Sequence, residues 1–334
     1  MKPQTLRAIS DFRHLDGVST GRYVVKQRFI DGEETVWSAV RLFFQSFRYD
    51  VIVLNSNTRR LLVLCLLRWV LPFNRCRLVP VDIHLTKPVG WKQRLSARLK
   101  RLLLRRVDRF ILYFTDLEGY DRFYGISRSR SSFVPFKVNC WETIPLASEL
   151  SADGEYVFTG GRSFRDLPTF ITAMRQALYP GLLLYQSAAL MNKNGTELDL
   201  SDLPSNVRAE YHDGDDRTWI EYIRRAKLVV VPTLANSIYA PGLSVYLLAM
   251  ALKKCVIITE GPATRGLLTD EAIIVPQDDP VALADAIRRA WEDDDLRERT
   301  ANAGRRYAER LQGEPRLLAD IVNSCGDLVF RKNA

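Results

Sequence analysis

The stretch "GLSVYLLAMALKKCVIIT" (residues 242–259) decides the fold. Its first part, 242–252, is apolar on every side of a helical projection, as a helix buried all round must be. Two lysines interrupt it, and "CVIIT" (255–259) then reads as a short buried strand. Working outward, "KLVVVPT" (227–233) is another such strand, and "AIIVP" (272–276) a third. "DDPVALADAIRRAW" opens a helix with Asp279 as N-cap and Pro280 at the first helical position. Upstream, "EYVFTGG" (155–161) and "GLLLYQS" (181–187) are apolar runs, with a helical pattern from Pro168 between them. Strands and helices alternating in this way predict a parallel sheet with helices on both faces.

The first half repeats the alternation. "YDVIVLN" (49–55), "CRLVPVDIHL" (76–85) and "RFILYFT" (109–115) read as buried strands, and 59–71 and 91–107 as apolar-basic helices. "LASELSADG" (146–154) is a linker by its Ser, Ala and Gly content. The expected organisation is α/β, with two Rossmann-like doubly wound domains, 1–150 and 151–311, facing a cleft. Sheets of this kind bind ligands beyond the carboxyl ends of their strands.

Composition narrows the function classes. The 334 residues are 47% hydrophobic and 26% charged, which describes a soluble globular chain. No apolar run approaches the roughly 20 residues of a spanning helix, and "MKPQTLRAISDF" has no signal-peptide core. A cytoplasmic location is the expectation. The five cysteines form no C-x-x-C pair, which argues against a zinc site or a disulfide framework. Residues 1–150 carry 26 Lys/Arg against 13 Asp/Glu, while the remainder carries 22 against 26. The first half is therefore built for an anionic neighbour. No nucleic-acid motif accompanies the charge, so nucleic acid is not the expected partner.

Two junctions carry candidate chemistry. In "FTGGRSFRD" (158–166) a strand runs into Gly160 and Gly161, and Arg162 and Arg165 follow. Glycines admit close backbone approach, and guanidiniums bind a diphosphate bidentately. In "APGLSVYLLAMALKK", Pro241 and Gly242 form a turn, after which Leu243, Ser244 and Val245 would offer free N–H groups at a helix start. Such an end attracts anions, because orphan donors and the helix dipole point the same way. Each feature alone reads equally as an ordinary turn; together, at strand-to-helix junctions of one domain, they read as two sides of one crevice.

The series of motifs from about 155 to 311 resembles the donor-binding half of family 4 glycosyltransferases (glycosyl transferases group 1), which have the GT-B fold; "AMALKKCVIIT" followed by "IIVPQDDPVALADAI" is the most telling part. The resemblance implies transfer of a sugar from a nucleotide-diphosphate donor to a glycan or lipid-linked acceptor, without metal or other cofactor. It implies that Gly161, Arg162 and Arg165, with Gly242, Leu243 and Ser244, hold the donor diphosphate. It also implies that the tail, 312–334, packs back on the first domain. The family's two glutamates, eight positions apart, fall by register on Ala240 and Leu248, neither of which can bind a hydroxyl through its side chain. That departure keeps a second reading open, a catalytically inactive GT-B protein serving another transferase.

In the first half, His84 ends "VPVDIHL", where the family often has a histidine that touches donor sugar or acceptor. Asp82, two residues earlier on the same strand face, is a second candidate for catalytic contact, and Asn55 a candidate on the acceptor side. "FVPFKVN" (133–139) resembles the place where the fold leaves its first domain. His14 and His212 read as surface residues. In "WKQRLSARLKRLLLRRVDRF" (91–110), Trp91, Leu95, Leu99, Leu102, Leu103 and Val107 make one helical stripe, and Lys92, Arg94, Arg98, Lys100, Arg101, Arg105, Arg106 and Arg109 fill much of the rest. The helix either packs its stripe on the sheet or rests on anionic lipid at the inner face of a membrane.

Overall fold

The computed structural model describes residues 2–31 and 35–331. The chain forms two compact units, Met1–Pro135 with Pro315–Ala334, and Phe136–Glu314. In chain order the first contains β1 (Gln4–Ser10), β2 (Tyr23–Phe29), α1 (Val36–Gln45), β3 (Val51–Asn55), α2 (Thr58–Val70), β4 (Arg77–Val81), α3 (Gly90–Leu104), β5 (Phe110–Leu112), α4 (Glu118–Tyr124) and β6 (Ser131–Phe133). The second contains β7 (Tyr156–Gly160), α5 (Leu167–Ala177), β8 (Gly181–Tyr185), α6 (Ala188–Lys193), β9 (Val207–Tyr211), α7 (Asp216–Arg225), β10 (Ala226–Val231), α8 (Leu243–Ala251), β11 (Cys255–Thr259), β12 (Ile273–Val275), α9 (Pro280–Glu292) and α10 (Asp294–Leu311). The last helix, α11 (Glu314–Phe330), belongs from Pro315 onward to the first unit.

Each unit is built on a six-stranded sheet, ordered β2-β1-β3-β4-β5-β6 and β12-β11-β10-β7-β8-β9, with every pairing parallel. Central strands are apolar on both faces because helices cover both. Val157, Leu183, Leu228, Val230 and Ile257 are fully buried against Phe170 and Met174 of α5 and Leu283 and Ile287 of α9. Strand order reverses between β1 and β3 in the first sheet and between β7 and β10 in the second. These are the switch points at which such sheets open a crevice.

The first unit ends at Pro135, not near 150. Residues 136–150 leave it because they are tied to the second unit's own helices. Val138 N–H donates to the carbonyl of Gln312, Lys137 pairs with Glu314 at 2.8 Å, and Arg305 stacks over Trp141 at 5.5 Å. In the first unit, α11 packs on β2. Tyr23 donates its hydroxyl to Asp327 and stacks on Phe330, and Gly326 lies so close that an added Cβ would come within 2.4 Å of the Tyr23 ring.

The α8 helix is buried all round, as its composition requires. One side meets the sheet and another meets α10, where Gly304 allows an approach that a Cβ would block at 2.8 Å from Met250 Cγ. Arg305 donates to the carbonyl of Ala251, so α10 also caps the end of α8.

Candidate functional site

In the second unit, the turn after β7 and the start of α8 meet at the switch point. Thr233, just past β10, bridges backbone-to-backbone with Arg165, and the Thr233 and Thr259 hydroxyls hydrogen-bond at 2.7 Å. The loop 161–165 is held on both sides. Phe164 N–H donates to the carbonyl of Asn194 beyond α6, and Leu234 N–H donates to the carbonyl of Phe164. The backbone N–H of Arg165 donates to the buried Thr196 hydroxyl at 2.8 Å. Asp166 then N-caps α5 through Thr169 N–H.

Arg165 and Arg162 have different environments. The Arg165 side chain turns inward and is 3% exposed. Its Nε donates to the carbonyl of Gly160 at 2.9 Å and its Nη1 to that of Ser163 at 2.8 Å. Gly161 has φ 103° and Gly242 φ 98°, a region where only glycine is at ease. A Cβ on Gly161 would stand 2.6 Å from Arg165 Nη2, and one on Gly242 would stand 3.8 Å from both terminal nitrogens. The guanidinium thus fills the space between the two glycines and joins the two motifs. No carboxylate pairs with it among the described residues, and burial pulls its pKa down to about 10, with Tyr239 nearby acting in the opposite sense. A buried cation without a counter-charge is costly unless hydrogen bonds or an anion compensate it. Arg162 is exposed.

The α8 start is the second element of the candidate site. Gly242 N-caps the helix with no side-chain acceptor. Among the described hydrogen bonds the N–H groups of Leu243 and Ser244 have no acceptor, whereas Val245 N–H already donates to the carbonyl of Gly242. Val245 therefore drops out of the expected donor set, because the first turn tightens onto its own cap. The Ser244 side chain is partly accessible, and those of Ala240 and Leu248 are buried.

Several groups on this edge carry no sequence signal. His212, expected at the surface, lies 5.0 Å from the Trp219 ring, and its Nδ1 accepts from Gly214 N–H. Burial pushes its pKa down. Trp219 in turn meets Phe158 edge-on and lies over Gly160, where a Cβ would come within 2.7 Å of the indole. Glu260 follows β11 on the same edge and pairs with Arg265. The spacing of these residues follows no period, so only the strand order brings them together.

In the first unit, Asn55, Asp82 and His84 gather at strand ends. Asn55 is exposed, and its N–H donates to Asp11 at 2.7 Å across the β1/β3 switch point. Asp82 and His84 lie beyond the end of β4, in a turn where Asp82 has φ 48°, not on one strand face. The turn still joins them, with His84 Nε2 3.3 Å from Asp82 Oδ2. The other oxygen, Asp82 Oδ1, is buried with no hydrogen-bond partner. Ser56 donates its hydroxyl to the Asp82 carbonyl, so β3 and β4 hold the turn jointly.

A glycosyltransferase from Rickettsia africae superposes over 99% of this chain and all of its own, with TM-score 0.67 at 10% identity. Sucrose-phosphate synthase from Thermosynechococcus elongatus aligns over 97% and 99% of the two chains, with TM-score 0.66 at 17% identity. The chain has the GT-B fold. HepE of Anabaena, solved in complex with UDP and glucose, is a further GT-B neighbour with TM-score 0.64 and 15% identity over 91% of this chain and 86% of its own. Residues 198–293 match the family of glycosyl transferases group 1, a span that includes β10, α8 and β11 of the candidate site. No curated protein matches the sequence significantly.

Proposed function

We propose that this GT-B protein transfers a sugar from a nucleoside-diphosphate donor to a glycan or lipid-linked acceptor. The observation that carries the reading is the buried, carboxylate-free guanidinium of Arg165 between Gly161 and Gly242. A diphosphate placed there would accept from Arg165 and from the free N–H groups of Leu243 and Ser244, with Arg162 closing from the solvent side. The match to glycosyl transferases group 1 over residues 198–293, which include the α8 start, supports the assignment.

The chemistry follows from charge. Breaking the bond between sugar and diphosphate leaves negative charge on the leaving phosphate. A fixed guanidinium and a helix N-terminus would stabilise that charge without reorganising at the moment of reaction. This arrangement needs neither a metal nor a further cofactor. On the first unit, the acceptor would meet His84 and the Asp82 carboxylate it faces, with Asn55 at the neighbouring strand end. Ala240 and Leu248 offer no carboxylate to the ribose or the sugar, so hydroxyl contacts would come from backbone groups or from Glu260.

The test is a donor-hydrolysis and transfer assay of the purified protein with UDP-, GDP- and dTDP-linked hexoses. Release of the nucleoside diphosphate, lost in Arg165→Met, is expected. Nucleotide binding with no turnover under any donor and acceptor pair would instead assign the inactive role beside another transferase.

A further inference from the structure

The α3 helix is turned the opposite way from an ordinary amphipathic helix. Its buried residues are Ala97 and Leu104, small or few for a 15-residue helix. Four residues of its apolar stripe face out, Trp91 at 72% exposed, Leu95 60%, Leu99 58% and Leu102 44%, while Leu103 is half-buried and Val107, past the helix end, is buried. At about 100° per residue, that stripe lies roughly 165° round the helix from Ala97 and Leu104. Lys92, Arg94, Arg98, Arg101 and Arg105 are exposed around it, and none forms an ion pair among the described residues. Residues 83–107 include eight Lys/Arg and no Asp/Glu. The patch continues onto α2, where Trp69 donates its indole N–H to the Leu102 carbonyl and Arg106 stacks on it at 4.1 Å. Leu66 and Val70, 52% and 69% exposed, extend it.

We infer that this face docks on an anionic lipid bilayer, with the α3 stripe inserted at the headgroup boundary and its basic flanks on the lipid phosphates. An apolar stripe bordered by cations is the pattern that lies in the plane of a membrane interface, and a tryptophan at its end suits that depth. No described helix is long and apolar enough to cross a membrane, so the contact is peripheral. A second copy of the chain is a poor occupant, since the unpaired cations of one stripe would face those of the other. Nucleic acid would leave the four central apolar side chains unused. The inference stands on the first unit alone and does not depend on the transferase reading.

Vesicle co-sedimentation of the full chain tests it, with phosphatidylcholine vesicles compared against vesicles containing about 30% phosphatidylglycerol, a content that gives a substantial negative surface. Binding at least tenfold tighter to the anionic vesicles is expected. Both Trp91→Ser/Leu95→Ser/Leu99→Ser and Lys92→Gln/Arg94→Gln/Arg98→Gln should lose at least tenfold, with far-UV circular dichroism unchanged. Equal binding to both vesicle types, or undiminished binding by the apolar variant, overturns the inference. So does a wild-type dimer that ignores vesicles and that the apolar variant dissolves. Acyl-chain-brominated lipid supplies a measurement free of folding effects: it should quench wild-type tryptophan emission and quench Trp91→Phe less. Equal quenching of the two overturns the insertion of α3.

Discussion

Replacing Arg165 with methionine separates a binding arginine from a structural one. Methionine keeps much of the volume and removes the charge and both carbonyl contacts. The fall of the Arg165 pKa to about 10 on burial corresponds to a penalty of roughly 3 kcal/mol on the charged form, at about 1.4 kcal/mol per pH unit. The hydrogen bonds to the Gly160 and Ser163 carbonyls offset it, at about 1.5–3 kcal/mol each for a charged donor. The two contributions nearly cancel in the unliganded protein, so Arg165→Met should lose no more than about 3 kcal/mol of unfolding free energy in urea. A bound diphosphate changes the balance, because it supplies the missing counter-charge. Losing a buried charge pair costs about 2–5 kcal/mol, or roughly 30- to several-thousand-fold in Kd for UDP by calorimetry. An affinity within threefold of wild type, with unfolding free energy down by more than about 5 kcal/mol, would make Arg165 only a loop tether and refute the reasoning.

Further outcomes test neighbouring elements. Gly242→Ala places a Cβ 2.7 Å from Val231 Cγ1 at φ 98°, so strain and overpacking should lower stability by about 2–4 kcal/mol and weaken nucleotide binding with it, both read from thermal melts with and without UDP. Lys254 donates to the carbonyls of Ser151 and Asp153, and burial lowers its pKa to about 8. Between pH 8 and its unfolded value near 10.4 the unfolded chain binds more protons, so this group adds stability as pH rises, up to about 3 kcal/mol. Buried Cys65, Cys76, Cys255 and Cys325, each pushed up to about 12, act in the opposite direction above pH 9, because their thiols ionise first in the unfolded chain. Stability measured in urea for wild type minus Lys254→Met should therefore rise across pH 8–10; a flat difference would contradict the lysine assignment. Asp82→Asn should reduce transfer at least tenfold while leaving UDP affinity within twofold, since Asp82 belongs to the acceptor side.

The central strands were legible because they are buried on both faces and read as unbroken apolar runs: "VIVLN", "KLVVV" and "CVIIT" each lie within a residue or two of their observed bounds. Three strands at or next to a sheet edge were not. The β1 sequence "QTLRAIS", the β2 sequence "YVVKQRF" and the β9 sequence "VRAEY" mix charge with apolar residues because one face or edge is solvated. The helix start at Asp279 followed from cap chemistry and that at Gly242 from its Pro-Gly turn, both of which are local. The fates of Arg162 and Arg165 were not local. Three positions apart in one loop, they are alike to sequence reasoning, and only the space left by Gly161 and Gly242 and the bridge to Thr233 send one inward. The direction of the α3 stripe was open for the same reason, since periodicity finds a face but not what lies against it.

The most direct test is calorimetric titration of the wild-type protein with UDP, GDP and dTDP beside the corresponding monophosphates. The account predicts that at least one diphosphate binds and that its monophosphate binds at least tenfold more weakly, because Arg165 and the α8 N-terminus act on the second phosphate. No binding by any diphosphate, or equal affinity for mono- and diphosphate, would contradict it.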